Sequence, residues 1–202
     1  MCAEQWEPIC EHDTPLLRFA AILLDGATAA QPHRLTIDGC CVAIGRLLGA
    51  FADMTKRVYS DADPNNLTVF DAPMGKAPTY PLFTYIDRAA RYCPTSVETL
   101  VQVVMLLDRF MSNVGDEFLR WASVHRLFFA AFALMCKMRE DVFPPSEYNR
   151  RVAGVSLGEL GRLEFNLFSA CRFNAMFNEP EYRAYEAALS DLAVHPYQLC
   201  RH

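Results

Sequence analysis

Residues 121–139 read WASVHRLFFAAFALMCKMR, and their apolar pattern decides the fold. Val124, Leu127, Phe128, Ala131, Leu134, Met135 and Met138 recur at steps of three and four, the spacing that gathers one face of an α-helix. Phe129, Ala130, Phe132 and Ala133 fill the other faces. A helix apolar on every side must be enclosed by other helices, so this segment is expected to be the hub of its domain. Its longest unbroken apolar run, Leu127 to Cys136, is ten residues. That is about half of the ~20 needed to cross a bilayer.

Working outward, helical spacing continues in both directions and no segment sustains an alternation of period two. Asp13-Thr14-Pro15 opens a short helix to about Asp25, with Gly26 as its stop signal. Thr36 caps a longer one whose stripe includes Ile37, Cys40, Cys41, Ile44, Leu48 and Phe51. Residues 59–80 hold Pro64, Asn65, Asn66, Pro73, Gly75 and Pro78 without clear period, the mark of a long functional or surface-packed loop. Pro81 suits the first turn of the next helix, with Leu82, Tyr85, Ile86, Ala89 and Tyr92 on one face. Pro94 ends it, and Thr95 with Glu98 predicts a capping box for a helix over 96–112. Pro144-Pro145-Ser146 starts a short helix, Ser156 a longer one to about Cys171, and Asn178-Glu179-Pro180 a last one. Short connections favour antiparallel neighbours. The sum is one all-α domain.

Composition agrees. The chain is 52% hydrophobic and 12% aromatic, too apolar for a disordered segment. Nineteen Lys plus Arg against twenty-four Asp plus Glu leave a net charge of −5. That argues against a nucleic-acid partner, which would call for a basic excess. The first residues, MCAEQWEPICEHD, carry acids where a signal peptide would be basic. Eight cysteines form no C-x-x-C pair, and Cys10-x-His12 has no second pair at zinc-finger spacing. Cys40, Cys41, Cys93, Cys136 and Cys171 fall in helix-patterned runs, as free thiols packed like small hydrophobes in a reducing compartment. No metal, cofactor or membrane is implied.

Two motif matches resolve into structural roles. Gly154-Val155-Ser156-Leu157-Gly158 satisfies the G-x-S-x-G pattern of hydrolases, but that motif needs a strand before the serine. Here a helix-like segment precedes it, and Ser156 with Glu159 makes an S-x-x-E capping box. His125 has no nucleophile or carboxylate at a set spacing and reads as a hydrogen-bonded structural histidine. No glycine-rich phosphate loop occurs. Nothing in the sequence points to an enzyme.

Four charges sit where core helices should have none. Asp108 lies in the stripe Val97, Val101, Val104, Asp108, Met111. A buried carboxylate needs a partner. Arg88 on the preceding helix is the expected one, in a buried or half-buried ion pair holding two helices in register. Glu164 interrupts the stripe Leu160, Leu163, Leu167, Phe168, and Lys137 stands near the carboxyl end of the apolar helix, where a cation is favoured. For both, local pairing and bonding to a partner's backbone at an exposed seam remain open.

The segments Leu67-Thr68-Val69-Phe70, Tyr85-Ile86-Asp87-Arg88, Leu107-Asp108-Arg109-Phe110, Val124-His125-Arg126-Leu127 and Ala133 to Lys137 together resemble a cyclin box. More narrowly they are similar to the single-box P/U-type cyclins. The resemblance covers about residues 40–190. It implies a single cyclin box of five helices around a central third helix, over residues 81–175. Residues 1–35 would form an arm with a short helix, 36–80 a helix and loop packed on the box, and 176–202 a C-terminal helix and tail. It places the family's Arg–Asp pair on Arg88 and Asp108, and the lysine and glutamate that grip a cyclin-dependent protein kinase on Lys137 and Glu164. Leu134, Met138 and Phe173 line the same seam.

The function so implied is that of a non-catalytic subunit that binds and activates such a kinase, in cell-cycle or nutrient-linked control, in the cytoplasm or nucleus. A helical adaptor that keeps the fold without activating a kinase is the alternative. The chain departs from the family pattern at Met138, where an aromatic is usual, at Glu140-Asp141, across Phe143 to Asn149, and at Val152-Ala153-Gly154-Val155-Ser156. The M-R-A-I-L docking motif of mitotic cyclins is absent.

Ser156→Ala is expected to cost ~0.5–2 kcal/mol in chemical denaturation, the loss of a helix cap. Turnover of a generic ester by the wild type that vanishes in this variant would instead make Ser156 a nucleophile.

Overall fold

The computed structural model describes residues 14–25, 34–58, 67–76 and 78–194. Eight α-helices run along them, with no strand among the described residues: α1 (Pro15–Leu23), α2 (Ile37–Val58), α3 (Leu82–Tyr92), α4 (Val97–Val114), α5 (Val124–Arg139), α6 (Ser146–Ala153), α7 (Leu157–Ala170) and α8 (Glu179–Val194). The fold is all-α. The stop signal at Gly26, most of the long loop's first half, and Cys2, Cys10 and Cys200 lie outside the described residues. No helix of the described residues is long and apolar enough to cross a membrane.

The expected hub is α5, which packs against α3, α4, α6 and α7. Every residue from Leu127 to Ala133 is at most 1% exposed. Burying a large apolar side chain stabilises by ~1.5–3 kcal/mol, and this run buries Leu127, Phe128, Phe129 and Phe132. Phe128 stacks on Phe132 with centroids 5.8 Å apart, and Tyr85 of α3 meets Phe128 and Phe129 edge-on. The Tyr85 hydroxyl donates to the Ala153 carbonyl at 2.9 Å, tying α3 to the end of α6.

A second helix is as deeply enclosed. No residue of α4 from Thr99 to Asp108 is more than 9% exposed. The sequence shows one stripe there, but α5 covers one side of α4 while α1, α2 and α8 cover the other. Helices α1, α2 and α8 are thus part of the core.

Caps fix the helix ends. Ser156 and Glu159 form the expected capping box on α7. On α4 the cap is Ser96, not Thr95: its Oγ accepts from the Thr99 amide at 3.2 Å. The carboxylate of the box comes from Glu140, at the end of α5, rather than from Glu98. Glu140 Oε1 accepts from the Ser96 amide at 2.8 Å, the Ser96 hydroxyl at 2.8 Å and the Thr99 hydroxyl at 2.6 Å. An acid just past the end of α5 therefore joins two core helices. The five described cysteines are buried and free, as expected. Burial pushes the thiols of Cys40, Cys41, Cys136 and Cys171 up to about 12, which leaves them inert. His125 Nε2 donates to the Tyr80 carbonyl at 2.9 Å, which fixes the neutral tautomer; desolvation lowers its pKa.

The expected Arg88–Asp108 pair does not form. Asp108 is fully buried and faces α1. Its Oδ1 accepts from the Leu16 amide at 2.9 Å, and Oδ2 from the Leu17 amide at 3.1 Å, the Thr14 hydroxyl at 2.6 Å and the Tyr185 hydroxyl at 2.7 Å. The carboxylate thus caps the amino end of α1 from across the core, where amide donors and the helix dipole favour an anion. Burial pushes its pKa up, and these four donors pull against that. Arg88 turns the other way. Its Nη2 donates to the Arg151 carbonyl at 3.1 Å, and it lines an open cleft of about 580 Å3 with Tyr80, Asp87, Arg91, Tyr148 and Arg151. The misreading has a physical cause. A stripe shows that a charge is buried, but not which neighbour supplies the donors, and backbone amides of an arm leave no trace in composition.

The described part of the loop is anchored by Asp71. Desolvation opposes its ionisation, but bonds from Arg120 (Nε 2.9 Å, Nη2 2.7 Å) and Thr68 (amide 2.7 Å, hydroxyl 2.8 Å) outweigh it and hold its pKa below the usual range. The Asp71 carbonyl also accepts from Arg126 Nη1 of α5 at 2.6 Å.

Asp108→Ala should cost about 2–4 kcal/mol in urea denaturation, since it strands buried donors. Arg88→Ala should cost under about 1 kcal/mol. Equal losses would restore the ion-pair reading. A depressed native carboxyl pKa contributes stability that is full above the unfolded value, about 4, and is lost as pH falls through the native value. Asp71→Asn should therefore flatten the acid limb of stability against pH below about 4. An unchanged limb would contradict the assignment.

Candidate functional site: the seam between α5 and α7

The last turn of α5 and the middle of α7 run side by side, and the two remaining misplaced charges meet there. Lys137 Nζ lies 2.6 and 2.5 Å from the two carboxylate oxygens of Glu164. The lysine side chain is 33% exposed and the glutamate 15%, so the pair is neither sealed in the core nor free in solvent. Nζ also stands 5.4 Å from the centroid of the Phe143 ring, within cation–π reach. An ammonium has three donors and a carboxylate about four acceptor sites. Their mutual contact leaves capacity on both for a further partner.

Around the pair the surface is apolar. Leu134, one turn before Lys137, is half-buried, and Met138 is 44% exposed. Phe173 lies beyond the end of α7, where the chain reverses through two successive left-handed residues, Arg172 and Phe173, both at φ 55°. The Phe173 amide returns to the Phe168 carbonyl at 2.8 Å. This turn swings the Phe173 ring back over α7, 5.3 Å from Phe168 and 6.2 Å from Phe165. A bulky residue at positive φ costs of order 1 kcal/mol or more and persists only where its surroundings enforce it.

The structure therefore brings Lys137 and Glu164 into contact, with Leu134 and Met138 on the same helix as the lysine. Phe173 packs on Phe165 and Phe168 of α7, and Phe165 follows Glu164 in the chain. The sequence did not single out Phe165, although it is 64% exposed. The signal was present: in a stripe of Leu160, Leu163, Leu167 and Phe168, Phe165 is an aromatic on the polar face. Phe143, beneath the ammonium, carried no such signal, because it precedes Pro144 in a connection without period.

Ser156 is an exposed cap at the start of α7, with no strand before it among the described residues. The chemistry the seam offers is recognition: one cation, one anion and three accessible apolar side chains.

Residues 50–175 match the family model of the cyclins. The chain belongs to the cyclin family. The match spans well over half of it and takes in all five helices from α3 to α7. Among curated proteins, the chain is similar to PHO85 cyclin-7 of Saccharomyces cerevisiae, 26% identical over 66% of this chain and 51% of that protein. It is similar to PHO85 cyclin-like protein psl1 of Schizosaccharomyces pombe, 28% identical over 60% and 49%. It also resembles Cyclin-U3-1 of Arabidopsis thaliana, 31% identical over 54% and 48%. The chain spans about half the length of these relatives. Relatives of U and P type agree with the narrower resemblance read from the motifs.

Proposed function

We propose that this cyclin is the non-catalytic regulatory subunit of a cyclin-dependent protein kinase, and that the α5–α7 seam is the surface that grips it. The observation that carries the reading is the half-exposed Lys137–Glu164 pair set beside Met138, Phe165 and Phe173. Stability alone does not account for it. In a partly buried ion pair, desolvation and solvent screening offset most of the attraction, and Met138, Phe165 and Phe173 are 44%, 64% and 58% exposed. A central aromatic and aliphatic patch with a polar pair is the anatomy of a protein interface.

In this reading Lys137 and Glu164 bond backbone groups of the kinase, and Leu134, Met138 and Phe173 receive its apolar side chains. Contacts made only with the kinase's active arrangement shift its population toward that state. The names of two relatives direct attention to a kinase of the PHO85 class, and the family to cell-cycle or nutrient-linked control.

The test uses this chain and a purified PHO85-class kinase, with titration calorimetry for binding and phosphate transfer to a peptide for activation. Wild type should bind and stimulate. Lys137→Ala with Glu164→Ala should raise Kd at least ~10-fold, about 1.4 kcal/mol, with thermal unfolding nearly unchanged. Equal binding by both proteins would move the interface elsewhere. Binding without stimulation would favour the adaptor.

A further inference from the structure

Thr14 is the acceptor-bearing half of the sole Ser-Pro or Thr-Pro dipeptide in the 202 residues. It is also the N-cap of α1, yet its side chain makes no bond to its own helix. Thr14 Oγ1 instead stands 2.6 Å from Asp108 Oδ2 and 2.7 Å from the Tyr185 hydroxyl. The three side chains form a closed triangle joining α1, α4 and α8.

We propose that Thr14 is a phosphorylation site for a proline-directed protein kinase, and that its modification releases α1 from the face formed by α4 and α8. The step is ordinary phosphoryl transfer. Thr14 Oγ1 bonds to the γ-phosphorus of Mg·ATP, the bond from that phosphorus to the ADP oxygen breaks, and the hydroxyl proton passes to the kinase's catalytic carboxylate. This inference rests neither on the kinase partnership proposed above nor on the residues of the seam.

Three features support the site. The residue before a proline is held in extended backbone, and Thr14 has φ −93° and ψ 154°. The helix that follows is only nine residues, shorter than the ~12–15 at which isolated helices become even marginally stable in water. It therefore exists through its contacts and can open to present Thr14 without unfolding the box. The third feature is charge. A phosphate carries about −1.5 to −2. At most helix N-termini it would be welcome, but here that place is already taken by a fully buried carboxylate. None of the four donors to Asp108 is a cation. Phosphate and carboxylate cannot share the triangle, so modification captures the opened arm. What α1 then uncovers is apolar: Leu16 and Ala20 are at most 1% exposed, and Phe19 packs edge-on against Phe51 of α2 at 5.1 Å.

The experiment treats the full chain with a purified proline-directed kinase and Mg·ATP, with a peptide of residues 8–20 as the accessible control. Site mapping by mass spectrometry and hydrogen exchange across residues 15–23 are the readouts. Phosphate should appear at Thr14, and faster in Tyr185→Phe, which lacks two of the three bonds of the triangle. The modified chain should exchange at least ~10-fold faster across α1, with α5 still protected. Failure to label the peptide would overturn the proposal. So would labelling of the peptide but of neither full-length protein, or phosphate on Thr14 with α1 still protected.

Discussion

Everything in this domain is arranged around a helix that water cannot be allowed to reach. From Leu127 to Ala133, α5 presents no polar side chain in any direction, so it must be walled by neighbours on every side. Four helices supply the walls, and their lengths and caps follow from that duty. The connection is tightest where Glu140, just past the end of α5, takes over the capping of α4. Its single oxygen accepts from two groups of Ser96 and one of Thr99. The end of one core helix thereby sets the beginning of the other, and the two cannot slide independently.

Enclosing α4 demands more than the five-helix unit provides. Its Thr99–Asp108 stretch would face water on one side if α3 to α7 stood alone, because the cover on that side comes from α1, α2 and α8. The Asp108 carboxylate is the polar fastening of that cover. It replaces the first-turn partners that α1 lacks and binds a tyrosine of α8, so one anion organises three elements distant in sequence. Burying a carboxylate is expensive, and four donors are what make it tolerable here.

The helices were legible in the sequence because apolar spacing is a local property. The hub at α5, the Ser156 cap and the burial of five cysteines all follow from residues within a few turns of one another. The Lys137–Glu164 seam was reached differently. Polarity marked both residues as misplaced, but only the family resemblance joined them. What escaped were partnerships decided by distant chain. Asp108 found Thr14 and two backbone amides rather than Arg88, and Ser96 rather than Thr95 became the cap because Glu140 arrives beside it. The full enclosure of α4 was missed for a like reason, since α1, α2 and α8 that cover it lie far from it in the chain.

Several local costs fall together between Leu134 and Met176. Between Leu134 and Met176 the chain exposes Met138, Phe165, Phe173 and Met176, the last at 74%. It also holds Arg172 and Phe173 in left-handed backbone and keeps an ion pair half open. Each of these is a small local cost. In the core, aromatics interlock and charges such as Asp71 and Asp108 are fully supplied with donors, although Phe83, Tyr92 and Ile22 are also exposed on other faces. An ordinary helix end, without the left-handed reversal, would leave the Phe173 ring elsewhere. The reversal instead presents Phe173 beside Phe165 and Phe168. Costs that fall beside the Lys137–Glu164 pair support the reading of this face as the partner surface proposed above.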